Sequence, residues 1–560
     1  MDNYQIADIF SLLSKLMDIH AENNFKAKSY ASAAFNIEKL PMQLADTPHE
    51  KIFQIKGIGE SSGKKIIEIL ETGSLKALQD LIESTPPGVI EMLNLKGIGP
   101  KKISTIWKEM GIESIGELLY ACEENRLKLY KGFGEKTQQN VIETIQFYLS
   151  NQGSHLYPQV EAVEPQITAY LQKLFGAENV FITGAFARQL EIIDELEYVV
   201  NSTNETVKPK FISANPPELL EENPDNLQYK LLNGLKLRLY TGTEALENRR
   251  FANSGSSEFV SAFSFQYPGI DFTGADDTAV FTQAGIHYIP PCLRETAAII
   301  DRAKAAALPQ LVQPVDIKGI IHSHSNWSDG SNTLEEMATA AKEQGLEYLV
   351  ISDHSKSAFY ANGLSEERLS AQHEHINLLN SKLNGFKIFK SIESDILYDG
   401  SLDYSNAILA SFDLVIASVH SILKMTEEKA MQRLVVAIEN PYTTILGHMT
   451  GRLLLSRKGY PLDHKKIIDA CAANNVVIEL NAHPSRLDID WRHIDYALQK
   501  NVLISIDPDA HSIEGFKDTR YGVLAAQKAM VSKEQNLSSM GLVEFEQFII
   551  QRKIAKGIAR

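Results

Sequence analysis

The sequence predicts a multidomain protein with an all-α N-terminal region, a mixed α/β middle and a C-terminal α/β barrel or open sheet of parallel strands. Three observations carry that prediction. Over residues 6–152 apolar residues recur at helical spacing, as in IADIFSLLSKLMDI and ALQDLIEST. Short alternating segments follow, NVFITGAFA, LEYVV, KPKFISA and LKLRLYTG, and read as strands of a mixed sheet. From residue 317, IKGIIHSH, YLVISDH, LVIASVH, TTILGH, VVIELNA and VLISID alternate with amphipathic stretches such as TLEEMATAAKEQG, the pattern of parallel strands covered by helices.

Length agrees, because 560 residues exceed what one hydrophobic core can hold and suggest about three or four domains. The polar run NQGSH ahead of Pro158 marks one boundary, and the stretch from YIPPCLRE to LPQLVQPV marks another. A net charge of −16 excludes a uniformly basic, nucleic-acid-coating surface, so any contact with phosphate must be local. Cys122, Cys292 and Cys471 lie far apart without CxxC spacing, which excludes a disulfide framework or zinc ribbon and suits a reducing compartment, the cytoplasm. The N-terminus lacks a basic region with a small-residue cleavage site, and no apolar run nears the ~20 residues that span a bilayer. Neither a signal peptide nor a membrane anchor is expected.

In the all-α region a pattern repeats. Phe53-Gln-Ile-Lys-Gly57-Ile-Gly59 precedes a basic helix with Lys64 and Lys65, and Leu93-Asn-Leu-Lys-Gly97-Ile-Gly99 precedes another with Lys101 and Lys102. A weaker third copy runs from Leu129 through Gly132 and Gly134. Glycines at these positions let a tight turn present backbone N–H groups and a helix N-terminus to a phosphate.

In the last region the histidines gather at predicted strand ends: His322 and His324 in IIHSHS, His354 in ISDHS, His420 in ASVHS, His448 in LGHMTGR and His511 in DAHS. Residues i and i+2 of a strand face one side, so His322 and His324 can enter one site. Asp329, Asp353, Glu393 and Asp509 add carboxylates. One histidine alone would be an ordinary core or surface residue, but six at equivalent strand ends form a ligand set. Imidazole and carboxylate without thiolate suit Zn²⁺, Mn²⁺ or Fe²⁺, and such clusters serve in-line phosphoryl displacement.

The ordered series His322-Ser-His324 with SDG, Ser352-Asp-His354, Glu393-Ser-Asp395, Ser418-Val-His420-Ser, Gly447-His448-Met-Thr-Gly-Arg, Glu479-Leu-Asn-Ala and Asp509-Ala-His511-Ser resembles the PHP (polymerase and histidinol phosphatase) domain, in the version fused to bacterial family X DNA polymerases. That resemblance implies a distorted (β/α)7 barrel holding up to three divalent ions on His322, His324, Asp329, His354, Glu393, His420, His448, Asp509 and His511. Asp329 and Asp353 are the catalytic carboxylates expected there. Arg452 and Arg486 are candidate phosphate contacts, with a structural salt bridge as the other reading.

The glycine repeats resemble helix-hairpin-helix DNA-binding motifs, and NNFKAKSYASAAFNIEKLP is similar to the small N-terminal domain of family X polymerases. Sequence-independent DNA backbone binding is implied for Gly57, Gly59, Lys64, Lys65, Gly97, Gly99, Lys101 and Lys102. In some relatives a lysine at the Lys65 position forms a Schiff base with a deoxyribose phosphate; here a DNA contact is the expected role. The implied domains are residues 1–80, 81–152, 153–312 (palm and thumb) and 315–560.

The palm departs from its family. Thr183-Gly184-Ala185-Phe186-Ala-Arg188 keeps the outline, but the paired Asp positions hold Glu195 and Glu197, and Arg238 stands at the third. Two-metal transfer needs short carboxylates converging on ions ~3.5–4 Å apart, so little polymerase activity is expected. The segment FANSGSSEF also replaces the usual nucleotide-gripping motif. The favoured function is a DNA-repair nuclease acting as 3′–5′ exonuclease, 3′-end trimmer or abasic-site endonuclease, in a monomer without a membrane partner. The alternatives are an active polymerase with PHP proofreading, and a non-catalytic DNA-binding protein or small-molecule phosphatase.

Overall fold

The computed structural model describes all residues except 2, 39, 41, 150–152, 211–215, 271–276 and 559–560. The chain forms two compact units, one of Met1–Glu123 with Leu127–Gln146 and one of Glu124–Arg126 with Phe147–Arg560. Part of the boundary expected before Pro158, residues 150–152, lies outside the described residues.

The first unit is helical throughout its described residues. Ile6, Phe10, Leu13 and Leu16 of helix Asn3–Ile19 are buried with Ala27, Tyr30 and Ile37 of helix Asn24–Glu38. The glycine repeats share one local geometry. Gly57, Gly97 and Gly132 have φ of +91°, +91° and +94°, a backbone that favours glycine over every L-residue. The next residue closes each turn, with Ile58 N–H bonding Ile55 O at 3.0 Å, Ile98 N–H Leu95 O at 3.3 Å and Phe133 N–H Tyr130 O at 3.0 Å. Helices Glu60–Thr72, Pro100–Lys108 and Glu135–Leu149 then begin, so the weak third copy is a structural equal of the other two.

In the second unit a five-stranded sheet is built from β1 (Val180–Thr183), β2 (Glu195–Val200), β3 (Glu218–Asn223), β4 (Asn226–Lys230) and β5 (Lys236–Tyr240), in the order β1-β2-β5-β4-β3. Only β2 and β5 pair in parallel. One expected strand is corrected. Lys208–Lys210 of KPKFISA end the helix Asn204–Lys210, and the remaining residues 211–214 lie outside the described ones. Val207 is buried on that helix, while Lys208 and Lys210 complement the helix C-terminus. The β3–β4 hairpin was not foreseen, because ELLEEN in β3 is exposed on both faces and carries no apolar alternation.

The barrel follows as β6 (Gly319–Ser323), β7 (Tyr348–Ile351), β8 (Lys387–Lys390), β9 (Glu393–Asp395), β10 (Ile416–Ser418), β11 (Ile445–Leu446), β12 (Val477–Asn481) and β13 (Ile504–Asp507). All pairings among them are parallel, in a three-stranded sheet β6-β7-β8 and a five-stranded sheet β9 to β13. A bridge from His354, just past the middle strand β7, to Glu393 and one from Ser323 at the end of β6 to Ala510 link the two sheets. Only Ser391 and Ile392 separate β8 from β9. Counted as one interrupted strand, they give the seven of the (β/α)7 expectation. Ile321, Val350, Phe389, Ile416, Ile445 and Val477, all buried, form one core cluster. Helix Leu334–Glu343 starts with reciprocal bonds between Thr333 and Glu336, the cap that TLEE announces.

The palm region and the barrel meet through a buried lysine. Lys528 Nζ donates to Glu295 and to the Arg188 carbonyl, both at 2.8 Å, and Arg302 pairs with Asp495 at 2.7 Å. No helix of the described residues is long and apolar enough to cross a membrane. The three cysteines are buried and free.

Candidate metal centre

Because side chains at strand C-termini point over one end of a barrel, the loops after β6, β7, β9, β10, β11 and β13 bring their polar residues to one place. His324, Asp329, His354 and His511 form one group whose ligand atoms lie within 4.8 Å of each other. His322, His324 and Asp509 form a second, and His354, Glu393 and His420 a third. His324 and His354 are shared, so the groups overlap. Glu393 lies at their centre, with its oxygens 3.0 Å from His354, 3.0 Å from His420, 2.9 Å from His448 and 3.3 Å from His322. Eight of the nine expected ligands thus enter these groups, and His448 reaches the same carboxylate.

The donor set fits divalent cations. His322 Nε2, His324 Nδ1, Asp329 Oδ2, His354 Nδ1, Glu393 Oε2, His448 Nδ1 and His511 Nε2 are buried without a hydrogen-bond partner. A buried polar atom left so costs about 1–3 kcal/mol, and cations shared among these atoms would relieve several at once. Electrostatics agree. Burial opposes a charged imidazole, yet the carboxylates of Glu479, Asp509 and Glu393 hold His322 well above its ordinary pKa. Asp329 and Glu393 likewise outweigh burial at His354, and the same contest raises His420 and His511 to about 9. Burial opposes ionisation of Asp329, Glu393 and Asp509 too, but neighbouring imidazoles push all three well below the usual range. The cluster favours cations among its carboxylates.

Backbone geometry is unusual at two ligands: His322 and Asp509 have φ of +59° and +53°. Non-glycine residues in this region are strained, and such strain gathers at functional sites. Gly330 of the SDG turn is required sterically, since a Cβ there would meet His324 O at 2.2 Å.

A second layer orients the ligands. Glu479 accepts from His322 Nδ1 at 2.5 Å and from His448 N–H at 3.0 Å, and Asp395 lies 2.5 Å from His420 Nδ1. These carboxylates set which ring nitrogen faces inward. Asp395 and Glu479 stand in the strand-end motifs, but sequence reasoning missed these roles. Asp353, expected to be catalytic, is instead a positioning residue. It accepts from Ser325 N–H and Oγ, Ser328 Oγ and Gln372 Nε2 at 2.5–2.8 Å and so fixes the turn carrying Asp329.

Arg452 takes its structural reading: its guanidinium bonds Asp490 at 2.5 Å and the carbonyls of Arg486 and Leu487, which removes it from phosphate. Arg486 is buried, and burial pushes the nearby His483 down to about 4 against the opposing carboxylates of Asp509 and Glu124. Glu124 was missed. Grouped with the second unit, it is buried and offers a carboxylate within 4.8 Å of Asp509 and His511 ligand atoms. No signal marks it in ACEENRLK, where it stands beside another glutamate without a histidine.

In the palm, Glu195 faces Lys236 and Glu197 faces Arg238 across β2 and β5. Arg238 Nε lies 2.9 Å from both Glu195 oxygens, and its guanidinium also reaches Asn226 at 2.8 Å. Gln228 adds a donor to Glu195 at 2.6 Å. Glu197 accepts from Ala185 N–H and Tyr240 OH, each at 2.9 Å, and burial raises its pKa. On the hairpin helices Lys64 pairs with Glu60 at 2.7 Å and Lys101 is exposed. Lys65 and Lys102 stand over the rings of Tyr30 and Phe133 at 5.7 and 5.6 Å.

Comparison with known proteins agrees with this layout. A helix-hairpin-helix domain matches residues 1–75, a SAM-like helix-hairpin-helix tandem residues 89–146 and a PHP domain residues 321–483. The chain is 29% identical to the DNA polymerase/3'-5' exonuclease PolX of Bacillus subtilis (strain 168), covering 97% of this chain and 99% of that one. It is also 30% identical to a probable phosphatase of Acetivibrio thermocellus and 29% identical to one of Caldicellulosiruptor saccharolyticus, each over 29% of this chain and 64% of the relative. End to end the chain is similar to a bacterial DNA polymerase/3'-5' exonuclease PolX, with helix-hairpin-helix regions matching at its N-terminal end and a PHP domain matching in the barrel.

Proposed function

We propose that the protein is a metal-dependent phosphodiesterase of DNA repair, acting in the cytoplasm as a 3′–5′ exonuclease, 3′-end trimmer or abasic-site endonuclease. The single observation that carries this reading is the convergence of buried, unpartnered imidazole and carboxylate atoms at the barrel mouth. Up to three ions, Mn²⁺, Zn²⁺ or Fe²⁺, would be held by the nine ligands, where divalent cations activate water and neutralise phosphoryl charge. Glu479 and Asp395 hold the His322 and His420 rings inward and Glu479 also anchors the His448 backbone N–H, Asp353 fixes the Asp329 turn, and Arg486 is the remaining candidate for phosphate. Residues 1–80 and 81–152 supply sequence-independent backbone contacts through the hairpins, residues 153–312 form a palm and thumb without nucleotidyl transfer, and residues 315–560 do the chemistry. The relative named as a polymerase/exonuclease supports DNA as substrate. The test is incubation with Mn²⁺ and a labelled primer-template, with and without nucleotides. Primer shortening supports the reading, and growth with nucleotides refutes the silent palm.

Similarity of the barrel to proteins named probable phosphatases favours a second reading, hydrolysis of small phosphate esters. Rapid release of phosphate from monoesters with no DNA cleavage would select it.

A further inference from the structure

The palm sheet β1 to β5 and the thumb helices between Leu246 and Lys304 have separate hydrophobic cores. Leu196, Tyr198, Leu227 and Leu237 belong to one cluster, and Phe251, Phe259, Phe263 and Phe281 to another. Along their seam, among the described residues, Val180, Ile182, Val199, Phe251 and Val280 line a cavity of about 360 Å³. Two bodies with separate cores and an open seam move against each other unless something fastens them.

The barrel supplies the fastening, because its helices Trp491–Gln499 and Thr519–Lys528 reach both bodies. On the palm side Arg492 pairs with Glu191 at 2.7 Å, and Arg520 and Tyr521 bond Glu161. On the thumb side Asp495 takes Arg302, and Met530 packs on the phenylalanine core. Packing here is dense: the space left among Tyr157, Leu190, Trp491, Tyr521 and Leu524 is about 10 Å³, room for one water at most. At the centre stands Lys528, whose side chain is wholly buried. Its ammonium donates to Glu295 Oε1 and the Arg188 carbonyl at 2.8 Å and to the Cys292 carbonyl at 3.2 Å, and it lies 4.7 Å over the Trp491 ring. Arg188 Nε donates to the same Glu295 oxygen at 3.2 Å. Glu295 is itself held to the thumb, since Ser256, the cap of helix Ser257–Gln266, donates to its carbonyl at 2.6 Å. One carboxylate oxygen of the thumb therefore joins a cation of the palm to a cation of the barrel. Buried charges persist only when paired and hydrogen-bonded, so parting any of the three bodies would strand one.

We propose that the triad of Arg188, Glu295 and Lys528 is a lock: through Lys528 the barrel holds palm and thumb at one fixed angle, and without it the two hinge about the open seam. The cleft between palm and thumb is then a rigid wall beside the barrel, not a jaw that closes on a ligand. This inference is independent of the phosphodiesterase reading, because none of the three residues touches the barrel ligands.

The test places nitroxide labels on Lys230→Cys and Phe265→Cys, exposed positions of palm and thumb, in full-length protein whose own three cysteines are buried. Their separation is read by pulsed electron–electron double resonance. The labelled parent should give one narrow distance, and a broad or two-peaked distribution overturns the proposal without any further variant. Lys528→Met keeps the stem and removes the ammonium, while Glu295→Gln keeps an acceptor and removes the negative charge. Each should widen the distribution at least ~twofold, and Glu295→Gln carries the comparison if Lys528→Met fails to fold. Distributions as narrow in both variants as in the parent overturn the proposal. So does equal widening by Arg302→Ala, since a partly exposed pair would then fasten the thumb as well as the buried triad does.

Discussion

The palm and the barrel both gather carboxylates at strand ends, and they differ in what the protein has done with the lone pairs. In the palm, Glu195 is satisfied by Arg238 and Gln228, and Glu197 by Ala185 N–H and Tyr240 OH. In the barrel, Glu393 Oε2, Asp329 Oδ2 and several imidazole nitrogens are buried and face one another rather than a donor from outside the cluster, as His354 Nδ1 and Glu393 Oε2 do at 3.0 Å. Carboxylate spacing alone does not make a metal site. In the barrel the donors are left to one another, whereas beside Glu195 the space is filled by a guanidinium, which stays charged in any protein environment.

The strongest way to break this contrast is to remove barrel ligands. His324→Ala/Asp509→Ala should lower Mn²⁺-dependent DNA cleavage by about a thousandfold or more while the protein stays folded. It should also abolish the rise in melting temperature that Mn²⁺ gives the wild type, because a ligand that binds only the native state stabilises it. Undiminished cleavage by the double variant would refute the assignment.

Much of the barrel site was legible because strand geometry turns sequence position into spatial position. His322-Ser-His324 faces one side, and each later ligand ends its own strand, so order along the chain became order around the ring. The hairpins were legible for a similar reason, since Gly57 and Gly97 mark a backbone few other residues adopt. What the sequence hid depends on partners distant in the chain. Asp353 reads as a catalytic carboxylate beside His354, but Ser325, Ser328 and Gln372 claim it. Arg452 reads as a phosphate contact until the loop near Asp490 is seen to wrap around it. β8 is four residues long with lysine at both ends, too short for periodicity to register.

The contrast sharpens if DNA affinity lies in the hairpins, as proposed, and outside both carboxylate clusters. Replacing Lys64, Lys65, Lys101 and Lys102 with alanine should weaken binding by about 10- to 100-fold and flatten the log–log salt dependence by ~0.7–0.9 for each phosphate no longer neutralised. Equal affinity for a chain beginning near Gln159 would show that the binding surface lies elsewhere.

A smaller effect is expected in the palm. Arg238→Met strands the partly buried Glu195, and a loss of about 1–2 kcal/mol should appear in urea unfolding. Neither Mn²⁺ nor Mg²⁺ should restore it if the ion pair has replaced the metal. In a barrel-inactivated background, template-directed extension should be absent from the parent and could emerge only when Glu195, Glu197 and Arg238 are all changed to Asp. Extension by the parent would refute the silent palm.

The subtlest expectation is that carboxylates in the two regions titrate with opposite sign. Burial raises Glu197 above 4.5, so the folded palm binds its proton more tightly than the unfolded chain does. Stability from this group is present below pH 4.5 and is lost as pH rises through the raised value. Asp490, on the barrel loop held by Arg452 and Arg492, is the reverse. Burial opposes its charge, but the two guanidinium groups hold it at about 2 against 3.8 for a free aspartate. Its contribution of about 2 kcal/mol is present above pH 3.8 and is lost as pH falls toward 2. Asp490→Asn should therefore lower the melting temperature most at neutral pH, with the gap to wild type closing below pH 4. Glu197→Gln keeps an acceptor for Ala185 N–H and sheds the buried charge, so its melting temperature should match wild type near pH 4 and exceed it as pH rises. Parallel pH profiles for the two variants would mean that Glu197 is as well compensated by its neighbours as Asp490 is by its two guanidinium groups.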